Sequence, residues 1–232
     1  MTEGRLRRVG ILWALCLCLV LLSLGTAVNA RTLQFSDHLL LLVAQAAASH
    51  PLDLLMALVG EAGSVEVTGL VVLGMVLSTR SAAPLGLERW VPLAILVAAT
   101  LVEVAAKSLV HQPSPPLDLL RGPHLPGLGL ATPYSFPSGH MTRATLMLGI
   151  VSLRLARRTQ RVTWLWVCVG AVWTVAYSLV YLGYHWPADV AGGILLGGLG
   201  LALCLALAPR GSVGDMSKLR QRGRSGRESL DG

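Results

Sequence analysis

Apolar residues in this chain come in long, nearly unbroken runs rather than in the spaced pattern of helices or strands that face water on one side. Six runs stand out, at about residues 9–30, 63–79, 90–110, 138–156, 162–183 and 187–208. A membrane-crossing helix needs roughly 20 mostly apolar residues. The pattern therefore predicts an all-α, polytopic membrane protein built as a six-transmembrane-helix bundle. The run at 63–79 is the shortest, and its helix has room to begin earlier, near Leu54.

These runs divide the chain into a first transmembrane helix (1–30), an extracytoplasmic helical segment (31–62), a membrane core (63–208) and a disordered basic tail (209–232). The opening RLRR, then ILWALCLCLVLLSLG, then VNA, also fits a cleaved signal peptide. Retention as a span is preferred because the run is long enough to cross. The segment 111–137 holds seven of the 12 prolines, which rules out regular helix there. A loop of that length without its own secondary structure usually carries function.

Charge orients the bundle. With the N-terminus in the cytoplasm, 15 of the 19 Lys and Arg residues fall on the cytoplasmic side, as the positive-inside rule requires. The exceptions are Arg31, Lys107, Arg121 and Arg143. The net charge of +7 is thus a topology signal, and no nucleic-acid partner is expected, since the basic residues flank spans instead of forming a stripe. Cys16, Cys18, Cys168 and Cys204 lie in apolar runs and read as small buried hydrophobes. No disulfide, metal or other cofactor is expected.

The exceptions to the charge pattern gather at one end of the bundle. Lys107 ends the third run, Ser138 and His140 begin the fourth, and His185 and Asp189 begin the sixth. Ionisable groups at membrane depth are costly and usually functional. Ser138 suits an N-cap, and Gly139 suits close approach of a ligand to the backbone. The resulting helix start, with unpaired amides and the positive end of a dipole, is an anion site. His185 and Asp189 are four apart near a helix start marked by Pro187, so a carboxylate can fix the imidazole tautomer and free the other nitrogen for attack. A nucleophilic histidine, a second histidine, a lysine and a helix N-terminus together fit phosphoryl transfer to water.

These residues resemble the type 2 phosphatidic acid phosphatase and vanadium haloperoxidase superfamily. Its pattern is a lysine followed seven residues later by Arg-Pro, then Pro-Ser-Gly-His, then Ser-Arg, five residues, His, three residues and Asp. The blocks KSLVHQPSPP, PSGH and SLVYLGYHWPAD occur here in order, and the resemblance covers roughly 60–208. It implies His185 as nucleophile, Asp189 as its orienting partner and His140 as general acid. It further implies that Lys107, Ser138 and Gly139 grip the phosphate, without a metal. Both family arginines are replaced, by Ser114 and Leu179. Losing one such oxyanion stabiliser costs ~10²–10³ in rate.

Arg143, three residues after His140, has two readings. It can lean toward the N-terminal end of its helix and supply a guanidinium to the phosphate, or pair with Glu103, which Lys107 could equally occupy four residues on. Arg121 and His124 offer further donors from the outer loop. The expected activity is a membrane lipid phosphate phosphatase, with an isoprenyl (di)phosphate or glycerolipid phosphate as partner in the plasma membrane bilayer. The alternative is a weak or inactive relative that binds lipid phosphates.

Overall fold

Backbone polar groups in a bilayer find no water, so long apolar runs settle as helices that satisfy their own hydrogen bonds. The computed structural model describes residues 3–78, 87–121 and 134–207, and over these residues it is all-helical. In order, the helices are α1 (Glu3–Asn29), α2 (Gln34–Gln45), α3 (His50–Gly60), α4 (Val65–Ser78), α5 (Val91–Leu109), α6 (Gly139–Thr159), α7 (Thr163–Tyr181) and α8 (Pro187–Ala206). The basic tail, Arg80 and His124 lie outside the described residues.

Among the described helices, α1, α5, α7 and α8 are each long and apolar enough to cross a membrane. One further helix pair, His50–Gly63 and Val65–Ser78, passes the same test only when taken together, bent at 48°. The helix ahead of the shortest apolar run begins at His50, and the pair is broken at Gly63 and Ser64, where a 3-10 turn (Glu61–Gly63) ends.

The remaining predicted span, α6, is 21 residues long, roughly 31 Å at the helical rise. It carries Arg143, Arg154, Arg157 and Arg158, and does not reach the apolar standard of the other four. Its position explains this. α6 is the central helix, packed by α4, α5, α7 and α8. Its N-terminal half, from Met141 to Met147, is buried almost throughout. A helix wrapped by protein does not need an apolar face for lipid.

Glycines set the tightest contact. Cβ atoms placed on Gly193 and Gly197 of α8 would come within 2.6 Å of the Ser138 carbonyl and 2.5 Å of the Thr142 carbonyl of α6. These two helices therefore meet backbone to backbone. α8 also packs closely on α1, where Gly10 faces Ala202 and Ala206. One apolar cluster joins Val72, Val76, Ile95, Leu146 and Ile150 across α4, α5 and α6. A second joins Met141, Ala144, Val175, Leu179 and Val190 across α6, α7 and α8.

Candidate active site

The C-terminal end of α5 and the N-terminal starts of α6 and α8 point to the same end of the bundle. Ser138 caps α6, its hydroxyl accepting from the Met141 amide at 3.3 Å. Its own amide donates to the Asp189 carbonyl at 2.9 Å, which ties the start of α6 to the start of α8. The Phe136–Pro137 bond just before this cap is cis.

At the start of α8, the Asp189 side chain is fully buried. Its Oδ2 accepts from the Trp186 amide at 3.0 Å and lies 3.5 Å from His185 Nδ1. The second distance is longer than a well-formed hydrogen bond, and Nδ1 has no hydrogen-bond partner among the described residues. The His185 amide donates to the Leu179 carbonyl at 3.3 Å. His140 lies within electrostatic reach of His185, Lys107 and Arg143. The two histidines and both cations named from the sequence therefore share one region.

Glu103 answers the two readings of Arg143. Its Oε2 accepts from Arg143 NH1 at 2.9 Å, and its Oε1 lies 3.1 Å from Lys107 Nζ. All three side chains are nearly excluded from solvent. Arg143 Nε also donates to the Gly63 carbonyl at 3.1 Å, at the break between α3 and α4. Gly63 lies directly on the His140 backbone, and a Cβ there would overlap the His140 carbonyl. Gly139 is tight in the same way, because a Cβ on it would overlap the Glu103 carboxylate. The group that exploits the bare backbone of Gly139 is thus a carboxylate of the protein itself.

Arg121 turns elsewhere. Its Nε donates to Asp53 Oδ1 at 3.2 Å, and its amide donates to the Leu182 carbonyl at 2.8 Å. The Tyr181 hydroxyl donates to the same Asp53 oxygen at 2.6 Å. Gln45 donates to the carbonyls of Leu119 and Tyr181. This network fastens residues 117–121 onto the end of α7. Gly183 makes that docking possible, being at φ +70° with the Leu119 carbonyl where a Cβ would sit. Ser114 is exposed in the segment that follows α5, and the Leu179 side chain is buried in the α6–α7–α8 cluster.

Sequence reasoning missed two groups. Gly63 bears no local mark of its contact with His140. Asp37 of α2 reaches α8 from far along the chain, accepting from the Ala188 amide at 2.9 Å and from Gln112 at 3.3 Å. Burial raises the Asp37 carboxyl above its ordinary value, and the nearby charge of Asp189 adds to the rise. Beside this contact, a cavity of about 360 Å³ is lined by Arg31, Asp37, His38, His111, Gln112 and Trp186, among others.

A family model described as the PAP2 superfamily matches residues 89–211, more than half of the chain. An undecaprenyl-diphosphatase from Sulfolobus acidocaldarius is 44% identical over 68 residues, 28% of this chain. That match spans 30% of the relative's length. The crystal structure described as the first transmembrane PAP2 type phosphatidylglycerolphosphate phosphatase, from Bacillus subtilis, superposes with a TM-score of 0.67 at 21% identity. It covers 82% of this chain and 93% of its own.

Proposed function

Because the chain belongs to the PAP2 superfamily, we propose that it is an integral membrane phosphatase that hydrolyses a lipid phosphate through a phosphohistidine. The observation that carries this reading is the His185–Asp189 pair at the start of α8, with His140 within electrostatic reach at the start of α6.

Asp189 holds the proton on His185 Nδ1, leaving the Nε2 lone pair to attack phosphorus. The P–O bond to the lipid breaks as the P–N bond forms, and His140 gives its proton to the departing oxygen. A water then gives a proton to His140 and attacks the phosphohistidine, releasing inorganic phosphate and the free imidazole. The Gly139 and His140 amides at the start of α6, Lys107 and Arg143 stabilise charge on the phosphoryl oxygens. Arg121 is not carried into this role, because its guanidinium is committed to Asp53.

The substrate is an isoprenyl (di)phosphate or a glycerolipid phosphate whose tail stays in the bilayer. The curated relative, an undecaprenyl-diphosphatase, favours the isoprenyl class. With α3–α4 as one bent crossing and α6 as the buried central one, the bundle has six spans. Both termini are then cytoplasmic, and the site opens on the outer face of the plasma membrane.

Phosphate release by the purified protein in detergent, from a panel of isoprenyl and glycerolipid phosphates, tests this reading against His185→Ala. Release that the substitution abolishes is the expected result. No release above the His185→Ala level on any member would replace this reading with a lipid-phosphate binder, for which the replaced arginines at Ser114 and Leu179 would be the cause.

A further inference from the structure

The start of α6 already holds an anion. The Glu103 carboxylate lies against Gly139 where only a glycine leaves room, with Lys107 on one oxygen and Arg143 on the other. Two oxygens, two cations and a helix N-terminus are the arrangement a phosphoryl group would require. Glu103 supplies the anion from α5, one helical turn before Lys107. The arrangement has little net charge. Glu103 offsets one of the two cations, and the charge of Glu66 on α4 is felt at both Arg143 and His140.

We propose that Glu103 is a positioning and specificity residue: a resident anion that holds Lys107 and Arg143 at the start of α6 and that the substrate's phosphate must displace. This inference rests on the phosphatase reading for its substrate but not for its geometry. Glu103 pairs with both buried cations, so that neither is left as an uncompensated buried charge. It also sets a threshold. Only an anion that satisfies both cations better than a carboxylate takes the position, which favours a tetrahedral phosphoryl group over the carboxylates and esters of bulk lipid.

The test is equilibrium binding of orthovanadate, a phosphate-like probe, to the purified protein in detergent by titration calorimetry. Glu103→Gln keeps the size and hydrogen-bonding oxygen of the side chain but removes its charge. The expected result is vanadate binding at least tenfold tighter than in the native chain, with Lys107→Met binding more weakly than native. Equal or weaker binding by a folded Glu103→Gln protein would overturn the proposal. Glu103→Asp is the second variant, in case the first does not fold. One methylene shorter, it keeps its charge but withdraws from Gly139, and it too should bind vanadate more tightly. Unchanged binding by Glu103→Asp would equally overturn the proposal. Since the readout is binding and not turnover, a chain that hydrolyses no lipid in the panel still answers this question.

Discussion

Asp189 Oδ2 accepts from the Trp186 amide and lies 3.5 Å from His185 Nδ1. Asp189→Asn keeps the shape and the cap but faces the ring without a charge. We expect kcat to fall by ~10³–10⁴ with little change in melting temperature, measured by phosphate release and thermal unfolding side by side. Arg121→Ala, in contrast, removes a half-exposed pair with Asp53 and should leave KM for any lipid phosphate within about twofold, by the same assay. Restoring the family arginine as Leu179→Arg should not repair the site. Its side chain would enter the cluster of Met141, Ala144 and Val190 and leave a cation unpaired, so a lowered melting temperature by several kcal/mol equivalent is expected, without gain in rate.

At this scale the sequence brought Lys107, Ser138, His140, His185 and Asp189 to one end of the bundle, and the structure has them there; their chemical roles belong to the proposal. It left Arg143 between two roles because periodicity gives a helix face but not the rotation of a neighbouring helix. Glu103 proves able to serve Lys107 and Arg143 together, since a carboxylate has two oxygens. Asp37 and Gly63 were illegible. Their partners lie more than 70 residues away, and nothing in their immediate surroundings marks the contact.

Among the elements, α2 has a role that its length hides. Twelve residues are too few to cross a bilayer, yet Asp37 carries this helix to the buried Ala188 amide at the start of α8. The folded-state carboxyl titrates above its ordinary 3.8 because burial disfavours the charge. Folded protein therefore binds the proton more readily than unfolded protein, and stability falls as pH rises from 3.8 through the folded-state value. Asp37→Asn should flatten that dependence and keep the oxygen that meets Ala188, so its melting temperature at neutral pH should match or exceed that of the native chain. Asp37→Ala should instead cost about 1–3 kcal/mol, because the Ala188 amide is left buried and unmet. Thermal unfolding of both variants between pH 4 and pH 7 measures the difference.

The helices themselves were readable from the apolar runs, to within a few residues for α5, α7 and α8. The bend between α3 and α4 was not, because a glycine and a serine in an apolar run are compatible with a straight helix. α6 was found as an element although its arginines make it less apolar than its neighbours. Its apolar run at about 138–156 was enough to identify it.

For the whole molecule, the proposed six-span arrangement with cytoplasmic termini makes a prediction that needs no activity. In a background with Cys16, Cys18, Cys168 and Cys204 replaced, Ser114→Cys should react in intact cells with a thiol reagent that cannot cross membranes. Arg158→Cys should react only after the membrane is opened. The reverse pattern would invert the bundle and move the site to the cytoplasmic face.

The contact between α6 and α8 sets the relation between His140 and His185. Where Gly193 and Gly197 meet the Ser138 and Thr142 carbonyls, α8 puts no side chain between the helices. A gap filled by leucines can widen or narrow as those leucines change rotamer, but a gap closed by main chain cannot. The separation of the two histidines is in effect a gauge block cut from bond lengths. Warming should loosen the lipid-facing side chains long before it alters that spacing. Turnover should then climb smoothly with temperature and fail only where the bundle itself comes apart.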